Sequence, residues 1–108
     1  MEAVMAWVVL FLAGLSEIVW ASAMKQSAGF TRLVPSVVTV SGMAVSVALL
    51  AWAMKTLPLG TAYMIWTGIG ALGAFLVGVA FLGEALSPAR VLAALLIVMG
   101  LALMKFAS

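Results

Sequence analysis

The acidic inventory of this 108-residue chain is Glu2, Glu17 and Glu84, with no Asp. There is no His and no Cys. That excludes thiol chemistry, disulfides, zinc sites and a histidine proton relay. Any acid–base or cation chemistry therefore falls to a carboxyl group. Glu2 lies at the terminus and Glu84 in a polar connection, whereas Glu17 stands well inside an apolar run. On insertion scales a charge at such depth costs roughly 2.5–3.5 kcal/mol. No basic residue lies near the middle of any apolar run to compensate it. Surrounding hydrocarbon penalises the ionised form. A carboxyl in that state loads and releases a proton, or takes a cation in the proton's place. The structural alternative is a protonated acid hydrogen-bonded between helices, but intramembrane carboxylates default to function.

Helical spacing names the neighbours of Glu17. Three and four residues away lie Ala13, Gly14, Trp20 and Ala21, a face of small residues and one indole. Small residues let another helix approach or leave a cavity. Trp20 either donates its N–H to the carboxylate, offers its ring face to a cation, or belongs to an interfacial aromatic belt. Tyr63 and Trp66, three apart, share a face and bring a hydroxyl and two aromatic walls. Behind them Gly68 and Gly70, with Gly73 and Gly78 beyond, weaken a helix. They serve as a conformational hinge, as a packing face, or as both. Thr39, Ser41 and Ser46 are mid-run hydroxyls. Such groups often bond back to their own helix; Ser46, the deepest, is otherwise the best placed to reach a carboxylate on a neighbour.

Positioning these groups requires four spans. The chain is 68% apolar and 7% charged, against about 25% charged in a soluble domain, so a soluble enzyme is excluded. Apolar runs extend from about Val4 to Met24, Leu33 to Met54, Pro58-Leu59-Gly60 to Leu82, and Ser87-Pro88 to Met104. Each is near the length of a bilayer-crossing helix, and helices satisfy their own backbone in lipid. Pro35 sits at the start of the second run. Ser87-Pro88 reads as an N-cap followed by proline at the first helical position. Ala21-Ser22-Ala23 imitates a signal-peptidase site, but the start lacks a positive region and Glu17 interrupts the apolar stretch. The fold class is thus an all-α membrane protein, with a single four-helix transmembrane domain over residues 1–108. A formal net charge of +2 is too small and dispersed for a nucleic-acid surface.

Charge hardly chooses an orientation. Lys55 and Lys105 fall on one side of the membrane, Lys25, Arg32 and Arg90 on the other. The positive-inside rule works on larger differences. Two copies inserted oppositely would reproduce an inverted-repeat architecture; the alternative is a single orientation fixed by some other feature. Four thin helices cannot enclose a solute path, so an oligomer is expected, with a dimer the smallest. The fourth run, Val91 to Met104, has no polar side chain. Ala93, Ala94 and Gly100 fit it for helix association, unless it is a plain lipid-facing anchor.

Taken together the motifs resemble the small multidrug resistance family, and more narrowly its guanidinium-exporter subtype. They are Gly14-Leu-Ser-Glu17-Ile-Val-Trp20-Ala21, Lys25, Gly29-Phe-Thr-Arg32-Leu, Lys55-Thr-Leu-Pro58-Leu-Gly60-Thr-Ala-Tyr63 and Ile65-Trp66-Thr-Gly68-Ile-Gly70-Ala. The resemblance spans essentially the whole chain. It implies an antiparallel dual-topology homodimer, multi-pass in a prokaryotic inner membrane, that exchanges guanidinium-type cations for protons without a cofactor or metal. It implies that Glu17 is the shared proton and substrate carboxylate. Gly14, Trp20, Ser46, Tyr63 and Trp66 would line or orient that site, and Gly68 and Gly70 would match a third-helix kink. Trp20 favours guanidinium where drug exporters carry a small residue. Met64 departs from the subtype's usual small residue and bears on substrate breadth. The alternatives are a multidrug exporter of quaternary ammonium and hydrophobic cations, or an accessory membrane protein without transport.

Overall fold

A computed structural model describes residues 2–108. It contains four helices: α1 (Ala3–Gln26), α2 (Leu33–Ala53), α3 (Leu59–Phe81) and α4 (Pro88–Phe106). Their ends lie within three residues of the expected boundaries. At 1.5 Å per residue each reaches about 30 Å or more, enough for a hydrocarbon core, and each is apolar enough to cross it.

Local chemistry explains the ends. Ser87 Oγ accepts the Arg90 backbone N–H at 3.2 Å, and Pro88 opens α4, where its missing N–H costs no bond. Pro58 caps α3 in extended backbone. The α1–α2 connection is tighter: Ala28, Gly29 and Phe30 have φ of 49°, 74° and 66°. Left-handed backbone is strained for the two non-glycine residues. Buried Ser27 holds it, donating to the Met24 carbonyl (2.6 Å) and accepting the Phe30 N–H (3.0 Å). In the third connection Glu84 pairs with Arg90 at 3.2 Å, and its carboxylate lies where a Cβ on Gly78 would be.

The helices alternate direction. The start of α1 and the end of α4 meet at one end, where Lys105 Nζ lies 4.2 Å from the centroid of the Trp7 ring. Helix α1 packs between α2 and α3, whereas the backbone of α4 lies against α3 alone among the described helices. The buried residues of α1 are Ala6, Val9, Leu10, Ala13 and Gly14, a stripe at three- and four-residue spacing. Its next turn is Glu17. The packing face of α1 therefore leads straight to the carboxyl group.

The molecule measures 39 × 35 × 16 Å. Its least dimension is less than two helix diameters. The four helices form a single curved layer, and α4 buries none of its residues.

Candidate functional site

Glycines make room for the carboxyl of Glu17. A Cβ on Gly70 would collide with Glu17 Cδ and Oε2, so the side chain lies directly on the α3 backbone. One residue C-terminal to Glu17, Ile18 lies on Gly73, while in the reverse direction Ile69 of α3 lies on Gly14 of α1, 2.7 Å from the place of its absent Cβ. Glycine at 14, 70 and 73 thus brings α1 and α3 close at the level of Glu17. Gly68 faces elsewhere: the side chain of Leu101 in α4 occupies the space of its missing Cβ. Helix α3 runs unbroken from Leu59 to Phe81, and the packing role of its glycines is plain.

Two polar atoms in this region are buried without a hydrogen-bond partner, Glu17 Oε2 and Trp20 Nε1. They stand one turn apart on α1. One is an acceptor and the other a donor, yet they do not bond each other. An unsatisfied buried polar group costs about 1–3 kcal/mol, more if charged. Such a pair leaves hydrogen-bonding capacity for a further chemical group. Trp20 is held from the other side by α2, where its Cβ lies 2.9 Å from the position a Cβ on Gly42 would take.

Ser46 behaves differently from the expectation that it reaches the carboxylate. It is fully buried, donates to the Ala13 carbonyl of α1 at 2.7 Å and accepts Trp66 Nε1–H at 2.8 Å. Ala13 is one turn before Glu17, so Ser46 sits one turn short of the carboxyl with both functions engaged. Its hydroxyl ties α2, α1 and α3 together and fixes the Trp66 ring, itself only 9% exposed. Tyr63 packs on that ring, with centroids 5.4 Å apart and planes tilted by 56°. At 52% exposed, Tyr63 stands at the open face of the layer. It also lines, with Met64, Thr67 and Gly68, a groove between α3 and α4 of about 460 Å³.

The expected site residues thus fall into two connected groups. Glu17 rests on Gly70 beside Trp20; Ser46, Trp66 and Tyr63 form a bonded and stacked set joined to α1 through Ala13. Gly42 and Ile69, which the sequence reading passed over, complete the helix approaches around them. Their signal was the small residue within an apolar run and the apolar residue between Gly68 and Gly70. Among the described residues no group of three or more His, Cys, Asp or Glu could hold a metal.

The family model for the Small Multidrug Resistance protein matches residues 5–107. The chain belongs to the small multidrug resistance family. Relatives include guanidinium exporters of Citrobacter freundii and Salmonella typhimurium, each 55% identical over 104 residues, or 96% of this chain and 99% of the relative. The guanidinium exporter of Escherichia coli K12 is 54% identical over the same shares. As a small multidrug resistance protein with four apolar helices and bacterial relatives, the chain is a multi-pass protein of a prokaryotic inner membrane.

Proposed function

We propose that this protein is a proton-coupled antiporter that exports guanidinium and small substituted guanidinium ions. The observation that carries the reading is the unpaired carboxyl of Glu17, resting on Gly70 with one oxygen buried and unbonded. Guanidinium is planar, and its parallel N–H donors match a carboxylate bidentately. The names of the relatives support this substrate over bulkier cations.

The working unit in this reading is an antiparallel, dual-topology homodimer. A curved layer less than two helices thick has no second wall, and a second copy would supply it. Two Glu17 groups would then lie near one another and titrate as a coupled pair. One cation compensates them, and protons expel it. Because cation and proton compete for the same oxygens, they move in opposite directions, and an inward proton gradient drives export. Trp20 provides an aromatic face for the flat cation. Trp66, fixed by Ser46, and Tyr63 form the adjoining wall, and Gly68 and Gly70 permit the conformational exchange that opens the site to one side at a time.

The test is proton movement in proteoliposomes. Guanidinium added on one side should drive proton release from the other and be outcompeted little by tetraalkylammonium. No guanidinium-dependent proton flux from correctly folded protein overturns the proposal.

A further inference from the structure

A second feature lies away from Glu17, at the membrane face where the start of α1 and the end of α4 meet. The backbones of α1 and α4 do not approach each other; both lie against α3, and a cleft of about 360 Å³ opens between them. Its walls are Phe11, Ile65, Ile69 and Leu101, and Trp7 and Lys105 stand at its upper end. Trp7 is near the start of α1 and Lys105 near the end of α4, so both lie at headgroup depth. Phe11 is one turn, about 6 Å, deeper than Trp7. Leu101 and Ile69 are displaced in the same direction from Lys105 and Ile65, because α4 runs opposite to α1 and α3. The cleft therefore descends along the bilayer normal, apolar below and cationic at the rim.

Among the residues that line the cleft the one charged side chain is that of Lys105. Lys105 Nζ lies over the Trp7 ring, an arrangement that orders the ammonium without neutralising it. The ion pair formed among the described residues is Arg90–Glu84, at the other end of the molecule. The ammonium and the Trp7 indole both offer donors at the rim of the cleft. An occupant that fits carries acceptor oxygens with negative charge above an aliphatic chain. We infer that this cleft binds one anionic phospholipid, its phosphate on Lys105 and Trp7 and one acyl chain between Phe11, Ile65, Ile69 and Leu101. The bound chain would lie on Ile69 and Leu101, the residues that fill the places of Cβ atoms on Gly14 and Gly68. The lipid is thereby in contact with the packing that seats Glu17.

The experiment is native mass spectrometry of the full chain, released from micelles holding equal phosphatidylglycerol and phosphatidylcholine with identical chains. Wild type should retain phosphatidylglycerol about fivefold over phosphatidylcholine, the effect of one lysine near a lipid surface. Lys105→Gln should bring the ratio to about one, and Lys105→Arg should keep it. Lys55→Gln, on the same membrane face but outside the cleft, should leave it unchanged. Equal retention of the two lipids by wild type overturns the inference. So does an equal fall in Lys55→Gln and Lys105→Gln, which would mean diffuse attraction. So does a cross-link from Phe11, replaced by a photoreactive residue, to a second copy in place of lipid.

Discussion

Glu17 and Gly70 occupy each other's space: the carboxyl lies where α3 would carry a side chain if residue 70 had one. A helix glycine costs roughly 1 kcal/mol relative to alanine, so Gly70→Ala would stabilise an isolated α3. Here it must displace the carboxyl instead. A charge-assisted hydrogen bond is worth about 1.5–3 kcal/mol, so guanidinium affinity should fall about tenfold or more. Gly60→Ala, whose added Cβ would meet nothing within 4 Å, should bind as wild type does. Titration calorimetry of the two variants checks the contrast.

Glu17→Gln keeps the shape of the side chain and removes its titration. Guanidinium-driven proton flux in proteoliposomes should vanish while folding is retained. In wild type, cation binding should be strong where the carboxyl is ionised and should fall as acidification lets protons take the same oxygens. The variant should show no such pH dependence. Retained coupled flux in Glu17→Gln would remove the carboxyl from the mechanism.

The spans, the depth of Glu17 and its small-residue face were legible because each depends on one helix at a time. The stripe Ala6, Val9, Leu10, Ala13, Gly14 continues to Glu17 by helix period alone. The partner of Ser46 was not legible. Whether its hydroxyl meets a carboxylate or a carbonyl depends on the relative height of α1, α2 and α3, and a shift of one turn changes the answer. Spacing put Trp20 and Glu17 on one face but left open whether the indole N–H bonds the carboxylate; the approach of α2 at Gly42 bears on where the indole can turn. The glycines of α3 were read as one group, yet Gly68 serves α4 and Gly70 serves α1, a division that only three-dimensional packing decides.

Ser46→Ala should be costly for stability. Trp66 Nε1–H would lose its acceptor in a position too buried for water to replace it, and the link to the Ala13 carbonyl would go as well. A buried donor left unpaired costs about 1–3 kcal/mol. The thermal midpoint in detergent should drop by several degrees. An unchanged midpoint would show that Trp66 finds another acceptor.

Both orientations should coexist in one membrane. The two faces carry nearly equal basic charge, Lys55 and Lys105 against Lys25, Arg32 and Arg90, and the cation–π contact of Lys105 with Trp7 leaves that charge in place. A cysteine appended at Ser108 should react with impermeant maleimide from each side in comparable amounts. Adding two lysines to the α2–α3 connection should drive labelling to one side and, if antiparallel pairing is needed, reduce transport with it.

In the proposed mechanism Trp20 sets the width of the site next to the carboxyl. Its Cβ packs on Gly42 and its indole N–H is buried without an acceptor, so the ring is positioned by α2 and free to meet a ligand. A flat cation gains from the ring face about 0.5–2 kcal/mol, whereas a tetrahedral ammonium of greater girth needs the volume the ring fills. Trp20→Gly removes the face and, opposite Gly42, opens a space between α1 and α2. The ratio of guanidinium to tetraalkylammonium uptake should therefore fall, by about twofold to thirtyfold from the lost ring contact alone. Trp20→Phe keeps a smaller face and should lie between. Competition uptake in proteoliposomes measures the order, and equal ratios in all three proteins would mean that the indole does not touch the cation.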